Sequence, residues 1–145
     1  MNTRMLMSAS AAALGAGGLG ASFLPQEALV YAGAPPTPAL VALVQVFGAA
    51  LLGFGFVNWM AKGALIGGIY NRPVAFGNAL HFAVGAITLV RLSMAEPSLP
   101  LVVVCALYAT FAVAFGFLLF GSPVPAAGPR ADRGGRAPGS GEGDR

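Results

Sequence analysis

Long apolar runs, broken by short polar stretches, set the pattern of this chain. Four runs stand out: Met5 to Leu24, Pro38 to Ala61, Pro73 to Val90 with an extension to Ala95, and Leu99 to Phe120. A helix crossing about 30 Å of hydrocarbon needs about 20 apolar residues. The first two runs hold no charge, and the second reaches about 36 Å at 1.5 Å per residue, enough to span with tilt. The third meets Arg91 before its end, where a long side chain can snorkel toward the headgroups. The fourth is the most hydrophobic. Prolines mark the breaks: Pro25, Pro35, Pro36 and Pro38 in the first connection, Pro73 after Gly67 and Gly68 in the second, Pro97 and Pro100 before the last run. Pro38, Pro73 and Pro100 fit the first turn of a helix, where a missing N–H costs nothing. The pattern predicts an all-α fold, a four-helix transmembrane bundle over residues 1–121, with helices at about 5–24, 38–61, 73–95 and 99–120.

From Gly121 the character changes. Residues 122–145 are rich in Gly, Pro, Arg and acids. They cannot bury enough apolar surface to offset the entropy of ordering, so they read as a disordered cytoplasmic tail.

Composition agrees with lipid as the solvent. Of 145 residues 57% are hydrophobic and only 9% charged, against about 25% charged in soluble chains. The net charge is +3, yet the cations form no patch among aromatic residues, so nucleic acid is not an expected partner. Cys105 is the single cysteine and cannot form an intrachain disulfide. Membrane lipids are the expected partners, with a second copy or another membrane protein as candidates.

Charge also predicts orientation. With both termini in the cytoplasm, all of the eight Lys and Arg residues except Arg91 lie on the cytoplasmic side, as the positive-inside rule asks. A cleaved signal peptide is a rival reading of the first run: Arg4 precedes the apolar stretch, and small residues follow at Gly20 to Ser22. Its apolar core is longer than the 7–15 residues or so of such peptides.

Several motifs have structural readings. Gly15 to Gly20 spells G-x-G-x-x-G, but no strand precedes it and no acid follows at the right distance. Its small residues suit close helix packing instead, with Ala11, Gly15 and Gly18 on one face and Ala13, Gly17 and Ala21 on another. In the second run Gln45, Gly48, Leu52, Gly55 and Trp59 form one stripe, expected to face other helices. Gln45 needs an interhelical partner, because lipid offers none. Trp59 and Tyr70 suit the headgroup region. On the outer side, Arg91 is expected to pair with Glu27 or Glu96.

Candidate chemistry concentrates between Phe56 and Phe82, where Asn58, Lys62, Asn71, Arg72, Asn78 and His81 lie among apolar residues. The second and third runs are expected to form a hairpin that turns in the cytoplasm. Asn58 and Asn78 then reach similar depth and can bond to each other across the interface. One reading is a wet hairpin end with anchors and a single interhelical bond. The other is a small ligand-binding pocket, with Lys62, Asn71 and Arg72 as donors to an anion or headgroup and Asn58, Asn78 and His81 beneath.

His81 shares a stripe with Asn78, Gly85 and Thr88 and lies about 12 Å along the helix from Pro73. An ionisable residue at that depth is a functional candidate by default. It reads as a neutral hydrogen-bonded histidine, as a ligand or proton site, or as a haem or metal ligand. With one histidine and no cysteine or acid cluster, no metal site or cofactor is expected. No catalytic residue is assigned, since His81 lacks both an orienting acid and an evident nucleophile.

The stretches "MNTRMLMSASAAALG", "FLPQEAL", "LGFGFVNWMAKGALIGGIYNRPVAFGNALHF" and "VGAITLVR" resemble an uncharacterised family of small bacterial integral membrane proteins. N-W-x-A-K-G and N-R-P-x-x-x-G-N are the most distinctive parts, and the likeness covers roughly Met1 to Arg91. In size and span count the chain is also similar to DoxX-type membrane proteins. The resemblance implies a bacterial inner membrane and brings no activity with it. The expected function is a non-enzymatic accessory or lipid-binding component; the alternative is an oligomeric small-solute or proton pathway through His81 and Asn78.

Overall fold

A computed structural model describes residues 3–63 and 71–120, with the side chain of Asn71 excepted. The chain runs α1 (Thr3–Phe23), α2 (Pro25–Tyr31), α3 (Pro38–Ala61), α4 (Asn71–Ala95) and α5 (Leu99–Phe120), with no strand among the described residues. α1, α3, α4 and α5 carry apolar stretches of 21 to 24 residues, long enough to cross a membrane. This is the arrangement of a multi-pass membrane protein, and the four-helix all-α fold is the one expected. The expected disordered tail, 122–145, lies outside the described residues.

The four long helices match the apolar runs to within two residues at each end. α3 opens on Thr37, whose Oγ1 accepts from the Leu40 N–H at 3.4 Å, with Pro38 at the first helical position. That cap satisfies one of the donors a helix start leaves open. α4 begins at Asn71, so Pro73 falls within its first turn.

The short α2 was not expected from the apolar pattern. Pro25 begins it rather than merely breaking the chain. Gly33 ends it: the Ala34 N–H donates to the Leu29 carbonyl at 2.9 Å and the Gly33 N–H to the Val30 carbonyl at 3.0 Å. That double return needs a left-handed residue, and Gly33 adopts φ 74°.

The bundle consists of two tight antiparallel pairs, α1 with α3 and α4 with α5. The hairpin expected between α3 and α4 is correspondingly weaker: those two helices meet only over a short stretch. Side-chain size explains the choice. Between α1 and α3 the backbones nearly touch, and a methyl group on Gly18 would lie 2.8 Å from the Gly48 carbonyl oxygen. A methyl on Gly55 would lie 3.1 Å from the Ala11 carbonyl oxygen. Small residues permit this approach, and dispersion between close backbones replaces the hydrophobic effect, which lipid tails largely remove. Ala11, Gly15 and Gly18 thus share the face expected of them. Gln45 finds its expected interhelical partner, donating to the Ser22 carbonyl at 3.4 Å.

Between α4 and α5 the seam is aromatic. Phe82 stacks on Phe111 with ring centroids 4.8 Å apart and on Phe115 at 5.8 Å, and meets Tyr108 edge-on at 5.2 Å. Leu6, Met7 and Leu14 of α1 and Leu51 of α3 complete this core. α1 therefore supplies part of the packing that joins the two pairs. Buried side chains crowd toward the end of the bundle where α1 and α4 begin. The outer faces stay apolar and exposed, with Val46, Phe47, Ile87, Val103 and Phe117 among them, a surface suited to hydrocarbon.

Arg91 forms no ion pair with Glu27 or Glu96, contrary to expectation. All three are exposed, and α2, which carries Glu27, touches α1 and α3 but not α4. Glu96 lies five positions after Arg91, which turns it about 140° away around a helix.

Candidate functional site

The expected bond between Asn58 and Asn78 is present, and it is double. Asn58 Nδ2 donates to Asn78 Oδ1 at 2.7 Å, and Asn78 Nδ2 donates to Asn58 Oδ1 at 2.6 Å. The remaining hydrogens are also committed. Asn58 Nδ2 donates to Ser10 Oγ at 3.0 Å, Asn78 Nδ2 to the Val74 carbonyl at 2.8 Å, and Ser10 Oγ to the Met7 carbonyl at 3.0 Å. Asn58 and Ser10 are fully buried and Asn78 is 1% exposed. An amide has two N–H donors, so every donor hydrogen in this cluster has an acceptor. The clasp ties α1, α3 and α4 together. Ser10 was not anticipated as its third member; a search for acceptors one helix away from Asn58 would have found it.

Among the described residues, the candidates for an anion pocket have separate surroundings. Lys62 turns onto its own helix, with Nζ 2.8 Å from the centroid of the Trp59 ring. Arg72 is exposed, and the side chain of Asn71 lies outside the described part. Asn58 and Asn78 commit all their N–H groups to each other, to Ser10 and to Val74, with no donor left for an anion. The physical reason is desolvation: an amide buried away from water binds the nearest partner of its own kind. Of the five candidates whose side chains are described, Asn58 and Asn78 bond to each other, with His81 one turn further along α4.

The expected stripe Asn78, His81, Gly85 and Thr88 splits. Asn78 joins the core beside Phe82. Thr88 is exposed and donates back to the Val84 carbonyl at 3.0 Å. His81 and Gly85 turn toward α5. A methyl on Gly85 would sit 2.6 Å from the Tyr108 ring, so glycine there lets the phenol lie across α4. Tyr108 Oη reaches His81 Nε2 at 3.4 Å. The opposite side of the imidazole stacks on Phe54 of α3, with centroids 5.2 Å apart and planes 22° from parallel.

Beyond the clasp α3 and α4 diverge, and a crevice of about 550 Å³ opens between them. Phe47 and Phe54 form the α3 wall, and Leu80, His81 and Val84 the α4 wall. Gly77, Gly85 and Tyr108 also line it. Its size lies in the range of small-molecule sites, about 300–1,000 Å³, and so does its chemistry: apolar walls with few polar groups. His81 and Tyr108 lie about 15 Å and 14 Å from the starts of α4 and α5, near the middle of a hydrocarbon layer about 30 Å thick. Phe54 and Tyr108 escape a reading of the sequence because aromatic residues in apolar runs look like ordinary packing. Tyr108 carried one signal: it is a phenol in the middle of a span, and a polar group there needs a partner. Among the described residues no three His, Cys, Asp or Glu side chains gather as a metal-ligand set.

No protein-family model, no curated protein and no solved structure matches this chain.

Proposed function

We propose that this chain is a non-enzymatic component of the bacterial inner membrane that holds an apolar, lipid-soluble molecule between α3 and α4. The observation that carries the reading is the crevice of about 550 Å³ with aromatic walls and a His81–Tyr108 pair in its lining. Placed at mid-membrane and open on one side, it admits an occupant directly from the bilayer. The distribution of charge supports cytoplasmic termini: Arg4, Lys62 and Arg72 lie at one end of the bundle, and Glu27, Arg91 and Glu96 at the other. The bacterial setting rests on the resemblance of the N-W-x-A-K-G and N-R-P-x-x-x-G-N segments. A proton or solute path through His81 and Asn78 draws less support, because Asn78 is buried and both its N–H groups are committed.

The test is native mass spectrometry of the protein in nanodiscs made from its own membrane lipids, beside Gly77→Leu. A methyl on Gly77 meets only Phe54, at an ordinary 3.7 Å, so a larger side chain there fills the crevice without entering the clasp. The wild type is expected to retain a defined small molecule that the variant loses. A wild type that retains none, or a variant that retains it equally, refutes the proposal.

A further inference from the structure

The contact between His81 and Tyr108 leaves a hydrogen-bond donor over. An uncharged imidazole carries one N–H and one bare nitrogen, and a phenol carries one O–H. The two side chains meet through the single pair Tyr108 Oη and His81 Nε2. If the phenol donates, the imidazole proton is on Nδ1, and that N–H has no acceptor. If Nε2 donates, the phenol O–H has none. A charged imidazolium adds a donor and removes none. Every arrangement therefore leaves at least one unmatched N–H or O–H on two side chains that line the crevice.

The surroundings do not absorb it. The ring neighbours are Phe54 and Phe82, and the adjacent crevice walls are Leu80 and Val84. Thr88 and Thr110 behave differently: each hydroxyl bonds to the carbonyl four residues back, at 3.0 Å and 2.8 Å. The Asn58–Asn78–Ser10 cluster closes on itself. In hydrocarbon an unmatched donor costs several kcal/mol. An acyl chain cannot help, since it offers only methylenes at this depth, and the ester oxygens of a diacyl lipid lie in the interfacial region.

We infer that the molecule held in the crevice carries a hydrogen-bond-accepting oxygen within a hydrocarbon body, placed at mid-membrane on the His81–Tyr108 donor. The inference rests on reading the crevice as a ligand site and names the class it takes: an uncharged, membrane-soluble carbonyl, alcohol or ether, as distinct from a phospholipid chain. His81 and Tyr108 are its polar anchors, and Phe54 and Phe47 line the apolar side.

The test uses two matched probes, 10-nonadecanone and nonadecane, offered in competition to the protein in nanodiscs and read by native mass spectrometry. The wild type is expected to retain the ketone over the hydrocarbon by about tenfold, equivalent to about 1.4 kcal/mol. With a ¹³C-labelled carbonyl, the bound ketone shows its infrared stretch at lower wavenumber than in lipid alone. The donor count makes a further demand. Tyr108→Phe keeps the imidazole N–H and His81→Phe keeps the phenol O–H, so each single variant retains the preference. The double variant has no donor and binds both probes alike. A preference lost in either single variant, or kept in the double, overturns the inference. An unshifted carbonyl band in the wild type overturns it whatever the variants do. Equal retention of ketone and hydrocarbon removes the polar anchor but leaves the crevice reading standing; retention of neither probe removes both.

Discussion

Replacing Asn58 by leucine removes the clasp from one side. The substitution deletes three hydrogen bonds: two to Asn78 and one to Ser10. It strands Asn78, whose Oδ1 loses its donor and one of whose N–H groups loses its acceptor. In water-soluble cores such orphans cost about 1–3 kcal/mol each. In membranes the separated helices find other partners, and measured interhelical bonds average about 0.6 kcal/mol with a maximum of about 1.7. Three bonds then amount to about 2 kcal/mol at the average and about 5 kcal/mol at the maximum. Asn78→Leu strands Asn58 in the same way and is expected to cost a similar amount. The double variant has no orphaned amide, so its cost falls short of the sum of the singles by about 1–3 kcal/mol. Leucine has a branched outline like asparagine's, and strain from its bulk enters both single variants and cancels in the cycle. The assay is reversible SDS unfolding in bicelles, followed by the near-ultraviolet dichroism of the Phe82–Phe111–Phe115 cluster. Single variants within about 0.5 kcal/mol of wild type, together with additive effects in the double, would show that the clasp does not couple α3 to α4.

The α1–α3 seam supplies two more expectations. Gly48→Ala puts a methyl 2.6 Å from Ser22 Oγ, 2.7 Å from the Ser22 nitrogen and 2.9 Å from the Gly18 carbonyl oxygen. Two of those atoms belong to backbone, so the helices must separate, at a cost of about 1–3 kcal/mol by the same unfolding assay. Gly53→Ala meets nothing within 4 Å and should be neutral or stabilising by up to about 1 kcal/mol; equal losses at Gly48 and Gly53 would contradict the close approach. Ser22 Oγ is buried without a hydrogen-bond partner, so Ser22→Ala removes an unpaired group and should leave stability unchanged or raise it by about 1 kcal/mol. A loss above 1 kcal/mol or so on that substitution would mean that the hydroxyl does bond in the membrane.

Depth can be read from the order of residues alone. Lipid is a uniform solvent along each helix, so the length of an apolar run and the placing of Pro38, Pro73 and Pro100 were enough to locate α1, α3, α4 and α5. Depth also made Asn58 and Asn78 legible as partners: successive spans run antiparallel, both amides lie one to two turns or so inside the facing ends of their helices, and hydrocarbon leaves them few other partners.

Lateral arrangement belongs to the packed structure. The faces of these helices are nearly as apolar as one another, so no stripe announces which side turns inward, and neighbours are chosen by volume. Glycine against glycine drew α1 to α3, an aromatic stack drew α5 to α4, and Phe54 against His81 held α3 and α4 apart beyond the clasp. The crevice is the space left by those choices. The same reasoning accounts for Arg91, which shares a level with acids that helix rotation and α2 place elsewhere. Solvation along the chain is a one-dimensional property and can be read there. The pairing of His81 with Tyr108, two polar groups 27 residues apart, exists only once side-chain shapes have decided which helices touch.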